Sequence, residues 1–129
     1  MSDENPSDLG KIFRDLSTLI GDFRISNWGD LTEEDRQTLE DAEWTLLNYS
    51  SDFIRNDVEN TLNSMNVDLE AISKATSDAK EAVKAITSVK NVLTLTANII
   101  ALGGAITSGN VGAISGAIGT LSQTIASVK

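Results

Sequence analysis

The sequence predicts an all-α protein: an elongated antiparallel bundle of about four helices in a single domain over residues 1–129. Apolar residues recur at helical spacing along most of the chain, and proline occurs only at position 6, so long helices are expected. Residues 91–128 hold no charged side chain. A soluble bundle seldom leaves both faces of a long helix uncharged, which makes this segment the main candidate for function.

The first two predicted helices are amphipathic and lie in the acidic half of the chain, residues 1–68. Asn5 before Pro6 is a helix start, and the apolar stripe that follows predicts a helix over residues 6–24. Thr32, with an acidic residue three positions later, resembles a capping box and starts a predicted helix over residues 32–63.

The third predicted helix spans residues 67–107 and carries two apolar stripes, so it is expected to have neighbours on two sides. A turn at residues 63–66 is favoured because Asn66 suits a new helix start. The unbroken heptad pattern through it leaves a continuous rod as the alternative. Forty helical residues extend about 60 Å. We therefore expect either a kink at Gly103-Gly104 or an elongated bundle.

Thr107-Ser108-Gly109-Asn110 is the clearest turn, with Gly109 suited to a left-handed C-cap and Asn110 to the next N-cap. A last helix of about 18 residues follows, so the chain ends in an uncharged helical hairpin rich in Gly and Ala. The residues predicted to contact a membrane or partner are Val92, Leu95, Ile99, Ile100, Leu102, Ile106, Val111, Ile114, Ile118, Leu121 and Ile125. Those predicted to allow close helix packing are Ala97, Ala101, Ala105, Gly112 and Gly116.

Charge is divided unevenly along the chain. Residues 1–68 carry 16 acidic and 5 basic residues, a net charge of −11, whereas residues 69–129 carry 3 and 5, a net charge of +2. The total of −9 repels nucleic acid, so no nucleic-acid partner is expected. The acidic half is expected to keep the apolar half soluble.

The residue types that most enzymes depend on are missing. The chain has no histidine and no cysteine, which removes the usual general base, the common nucleophile pairs and most metal ligand sets. We therefore expect no catalytic residues, no metal and no cofactor. The N-terminus has neither the basic start nor the apolar run of a secretory signal, so the expected location is the cytoplasm, with membrane association or leaderless export left open.

Two functions fit the uncharged hairpin. Half of the 38 residues from 91 to 128 are Ala, Val, Ile or Leu, and the rest are Ser, Thr, Gly, Asn or Gln, a mixture too polar for a permanent membrane anchor. In architecture, amphipathic helices followed by such a hairpin resemble the α-helical pore-forming toxins, and this resemblance implies a hairpin that inserts into lipid on a trigger such as acidification.

The interpretation favoured by the sequence is thus a non-enzymatic membrane-active protein that self-associates, possible partners being lipid or protein. The alternative is a soluble assembly or adaptor module whose hairpin is buried in a homo- or hetero-oligomer. Trp28, in the turn after the first helix, is expected to contact a partner, a lipid interface or the core.

Overall fold

The computed structural model describes residues 8–56, 58–65 and 69–128, and it confirms the all-α fold with a C-terminal helical hairpin. Five helices of 17 or more residues form the bundle, rather than the four that the sequence predicts, and a sixth helix of seven residues connects two of them. The six are α1 (Asp8–Ser26), α2 (Glu33–Arg55), α3 (Val58–Ser64), α4 (Leu69–Ala85), α5 (Val89–Ser108) and α6 (Val111–Val128).

The five main helices pack around one apolar core. α1 and α2 form an antiparallel pair, and α5 and α6 form a second pair. α4 joins the two pairs by packing against α1 and α6, while α5 packs against α2. The largest fully buried side chains come from all helices except α6: Phe13, Leu16, Ile20, Leu39, Leu46, Phe53, Leu62, Ile72, Leu95, Ile99, Leu102 and Ile106.

The prediction of a single third helix over residues 67–107 is wrong. α4 ends at Ala85 and α5 begins at Val89, with residues 86–88 between them in non-helical conformation. Ser88 is the N-cap of α5, and its hydroxyl accepts a hydrogen bond from the Asn91 amide at 3.4 Å. The break divides a segment that would be too long for a compact bundle as one helix into two helices of 17 and 20 residues.

The second predicted helix also divides. α2 begins after Thr32, whose hydroxyl accepts from the Asp35 amide at 3.0 Å, which confirms that cap, but α2 ends at Arg55 with Asn56 as its C-cap. α3 ends at Ser64 and Met65 is a turn, so the continuous rod is ruled out. The predicted start at Asn5 lies outside the described residues.

The hairpin turn forms as the sequence predicts. Gly109 adopts a left-handed conformation with a φ of 70°, which residues with a Cβ rarely adopt. The Asn110 side-chain oxygen accepts from the Ala113 amide at 2.9 Å, and α6 then runs for 18 residues. α5 continues as helix through Gly103-Gly104, and the predicted long helix is interrupted earlier, at residues 86–88.

Candidate functional site, an uncharged helical hairpin

The candidate site is the hairpin of residues 88–128, comprising α5, the turn and α6. The remaining helices, α1–α4, are called the stem. By length and composition alone, α5 and α6 are each able to cross a membrane. At about 1.5 Å per residue they extend about 30 Å and 27 Å, against an apolar bilayer core of about 30 Å. Lys90 is the hairpin's only charged residue and lies at its open end, where Lys129 follows in the sequence.

The two hairpin helices are buried to different degrees. α5 is the more central, with Val92, Leu95, Thr96, Ile99, Leu102, Gly103 and Ile106 buried. α6 lies at the edge of the bundle and buries only Ile114, Leu121 and Ile125. Its outward face is therefore exposed and carries no charge.

The structure separates the two groups of residues that the sequence singles out. Of the predicted membrane or partner contacts, eight are buried in the bundle, Ile100 and Ile118 are half-buried, and Val111 is exposed. Of the small residues predicted to allow close packing, Ala97, Ala101, Gly112 and Gly116 are exposed and Ala105 is half-buried. The apolar residues thus face inward, and the small ones face outward. Their contact with lipid or another molecule stays a prediction.

The polar side chains of the hairpin that form hydrogen bonds do so within the hairpin. The Asn98 amide donates to the Thr124 hydroxyl and so joins α5 to α6. The Thr94 and Thr107 hydroxyls donate to the carbonyls four residues earlier, at 3.0 and 2.9 Å. Across the described residues, no hydrogen bond or ion pair links the hairpin to the stem. The hairpin is held on the stem by apolar packing.

The stem, by contrast, has polar links between its own helices. Arg24 of α1 and Glu43 of α2 form an ion pair at 2.6 Å, and the Ser50 hydroxyl donates to the Gly10 carbonyl at 2.6 Å. Lys80 of α4 contacts Asp15 of α1 at 3.0 Å. These links join α1, α2 and α4 without any contribution from the hairpin.

Two lysines favour the charged form of the Asp15 carboxylate. Its burial raises its pKa, but hydrogen bonds from Lys11 and Lys80, together with their positive charge, outweigh this and hold the pKa below the ordinary value. The stabilisation by the ion pair with Lys80 is therefore fully present above the ordinary carboxyl pKa of about 4. It is lost as the pH falls through the lowered pKa of Asp15.

The hairpin approaches the stem closely at Gly103. A Cβ atom there would lie 2.5 Å from the Tyr49 ring carbon Cε2 and 3.1 Å from that of Phe13. Tyr49 stacks on Phe53, and Phe13 meets both rings edge to face. Gly103 thus lets α5 approach this aromatic cluster, and burial raises the pKa of Tyr49. The sequence does show a glycine pair here but does not show which ring would face it.

The same face of α5 holds a polar group without a partner. Thr96 lies two helical turns before Gly103, and its hydroxyl is buried with no hydrogen bond. An unpaired buried hydroxyl costs about 1–3 kcal/mol. It therefore weakens the packing of the hairpin on the stem.

We expect Thr96→Val to raise the free energy of unfolding by about 1 kcal/mol, because valine fills the same space without an unpaired hydroxyl. Thr76→Val is the matched control, since Thr76 is also fully buried but donates to the Ile72 carbonyl at 2.8 Å. Denaturant unfolding of both variants tests this. A fall in stability for Thr96→Val would mean that the hydroxyl has a partner.

No protein-family model, curated protein or solved structure matches this chain. Within the described residues, no group of three or more carboxylates is placed to hold a metal ion. Sequence reasoning missed the N-cap at Ser88, although serine is a common N-cap, and the unpaired hydroxyl of Thr96. It singled out Gly103 as a kink position but did not show that Gly103 meets Tyr49.

Proposed function

We propose that this is a non-enzymatic, membrane-active protein whose C-terminal hairpin leaves the stem and inserts into a bilayer. The observation that carries the proposal is the kind of contact between hairpin and stem. A pair of helices of membrane-spanning length, whose one charged residue is Lys90 at the open end, is held by apolar packing, while polar links hold the stem together separately.

The connection between the two parts favours this movement. The hairpin joins the stem through residues 86–88, which are non-helical, so it can turn away without unwinding α4 or α5. Moving it breaks no hydrogen bond or ion pair between described residues. The apolar side chains of α5 that face the stem would then face lipid tails, which are equally apolar.

Several polar side chains of the hairpin are suited to a bilayer because their hydrogen-bond partners lie within the hairpin. An unsatisfied polar group costs several kcal/mol in lipid. The bond from Asn98 to Thr124 and the bonds from Thr94 and Thr107 to their own helix would persist after insertion. Lys90 would remain at the headgroup level at the open end.

Acidification is the proposed trigger. Protonation of stem carboxylates would lower the negative charge of the stem and so the cost of bringing it close to the apolar bilayer core. Because Lys11 and Lys80 lower the pKa of Asp15, its ion pair with Lys80 is lost at a lower pH than the one at which an ordinary carboxylate is protonated. The stem would therefore stay assembled while the hairpin leaves it.

The experiment is dye release from liposomes by a variant with a disulfide between hairpin and stem, Tyr49→Cys/Gly103→Cys. The chain has no cysteine of its own. Because Cδ2 of Tyr49 already touches the position of a Cβ at residue 103, the two Cβ atoms lie within about 5 Å, near the spacing of a disulfide. We expect release at background level when the variant is oxidised and normal release after reduction.

The two single-cysteine variants are the controls, since each carries one of the changes but cannot form the bond. Both should release dye at about pH 4.5, where ordinary carboxylates begin to titrate, with and without reductant, and little dye at neutral pH. Equal release by the oxidised and reduced double variant would show that the hairpin need not leave the stem, and no release by any form would remove the proposed activity.

The exposed face of α6 favours a second candidate, a soluble assembly in which this face is buried against another molecule. An uncharged helix with three buried residues leaves a surface that a partner can cover. Sedimentation without lipid distinguishes the two candidates. A stable oligomer that Gly116→Arg disperses, together with no dye release, would support the assembly.

A further inference from the structure

A second surface of the molecule is exposed and apolar, and it lies outside the hairpin. Trp28 sits in the 3-10 turn Trp28–Asp30 between α1 and α2, and Ile25 lies in the last turn of α1. Their exposed fractions are 47% and 63%, which places them among the few large apolar residues in contact with solvent. We call Ile25, Trp28 and Arg36 the tryptophan surface.

The indole of Trp28 is held in place although it is exposed. Arg36 donates from Nε and Nη2 to the Trp28 carbonyl at 3.1 and 2.6 Å, and its guanidinium lies 4.3 Å from the ring centre. The Arg24 guanidinium lies 5.9 Å from the same ring. The side chain therefore presents a fixed aromatic face beside a cation.

The tryptophan surface lies at the end of the bundle where the hairpin begins. Ser26 and Asn27, beside Trp28, line the same surface cavity as Ile86 of the non-helical segment. The open end of the hairpin, with Lys90, lies at this end too, because α5 starts there and α6 returns to it. A membrane bound at this surface would be next to the point from which the hairpin moves.

We propose that the tryptophan surface docks the closed protein on the headgroup region of a phosphatidylcholine bilayer, before the hairpin moves. This inference rests on the proposed membrane function. Indole rings favour the membrane interface, where one part of the ring is in apolar surroundings and the N–H is hydrated. The guanidinium of Arg36 has donors left for a lipid phosphate, and no described carboxylate pairs with it.

The charges nearby select a zwitterionic lipid. Glu33, Glu34 and Asp35 form the first turn of α2, two of them exposed, and they would repel an anionic surface. Phosphatidylcholine carries a phosphate for the guanidinium but no net charge. The surface therefore fits a neutral bilayer better than one rich in anionic lipid.

Trp44 provides an internal comparison. It is more exposed than Trp28, at 63%, but it lies in the middle of α2 among Glu40, Asp41 and Asn48, and no guanidinium is stacked on it. Exposure alone would make both tryptophans bind lipid. The proposed surface requires that only Trp28 does.

The test uses Trp44→Phe and Trp28→Phe, each of which leaves one tryptophan, in the oxidised Tyr49→Cys/Gly103→Cys background so that the hairpin stays on the stem. Each is mixed with phosphatidylcholine vesicles containing brominated lipid at neutral pH. We expect the emission of Trp28 to shift to the blue and to be quenched, and that of Trp44 to be unchanged. Similar behaviour of both tryptophans, or no change in either, would overturn the proposal.

Ile25→Asp in the Trp44→Phe protein is the second measurement. The side chain is exposed, so the fold should be kept, and losing its burial in the interface should weaken vesicle binding about tenfold or more. Unchanged binding would also overturn the proposal. If docking fails but reduction still restores dye release, only the docking proposal is wrong and the proposed function stands. If docking succeeds but no dye is released after reduction, the proposed function is wrong instead.

Discussion

Replacing Ala101 and Thr120 by aspartate is expected to abolish dye release while the bundle stays folded. Both residues are exposed and lie near the middle of α5 and α6, so the carboxylates remain in water in the closed protein. In the inserted hairpin they would lie near the centre of the bilayer, where each charge costs about 2.5–3.5 kcal/mol. The sum, about 5–7 kcal/mol, lowers the insertion equilibrium by roughly four to five powers of ten.

Dye release measures the activity of the variant, and circular dichroism and thermal melting of the same variant show whether it is folded. Thr38→Asp/Asn48→Asp is the control, because it adds two carboxylates to the exposed surface of α2 and changes the net charge equally. Release that survives in Ala101→Asp/Thr120→Asp would show that these helices do not enter lipid. From the sequence alone, the apolar stripe of α6 suggests Ile114 and Ile118 as positions for the added charges. Ile114 is only 1% exposed, however, so a charge there would disrupt the core.

The second large effect is expected from Gly103→Ala, which should lower the free energy of unfolding by about 1–2 kcal/mol and increase dye release. The added methyl group would overlap the Tyr49 ring, and overpacking of this kind costs about 1–3 kcal/mol, of which the helix propensity of alanine recovers up to about 1 kcal/mol. Because the overlap lies between α5 and α2, it loosens the contact that holds the hairpin on the stem.

Gly116→Ala is the matched control for this prediction. It is the same substitution in the same hairpin, but no atom lies within 4 Å of the added Cβ. Alanine there should therefore raise stability by about 0.5–1 kcal/mol through helix propensity alone. Denaturant unfolding gives both values, and the prediction requires opposite signs. A stabilised Gly103→Ala protein would show that Tyr49 moves aside and that this contact does not hold the hairpin.

A large part of the fold was predictable because its signals are local. The apolar stripes follow the helical period, and Thr32 is a recognisable N-cap. In the turn, Gly109 suits the left-handed conformation and the adjacent Asn110 suits an N-cap. The number of helices was not predictable in the same way. Apolar residues continue at helical spacing through residues 86–88, and only packing into a compact bundle makes the break at Ser88 favourable.

What the sequence by itself determined is the absence of charge over residues 91–128 and the two-helix form of that segment, since both follow from residue type and order. Only the tertiary structure decided which sides of these helices are covered. It buried the large apolar residues against the stem, left the small residues outward, paired Gly103 with Tyr49 and left the Thr96 hydroxyl without a partner. These features depend on contacts between residues distant in sequence, which helical periodicity does not encode.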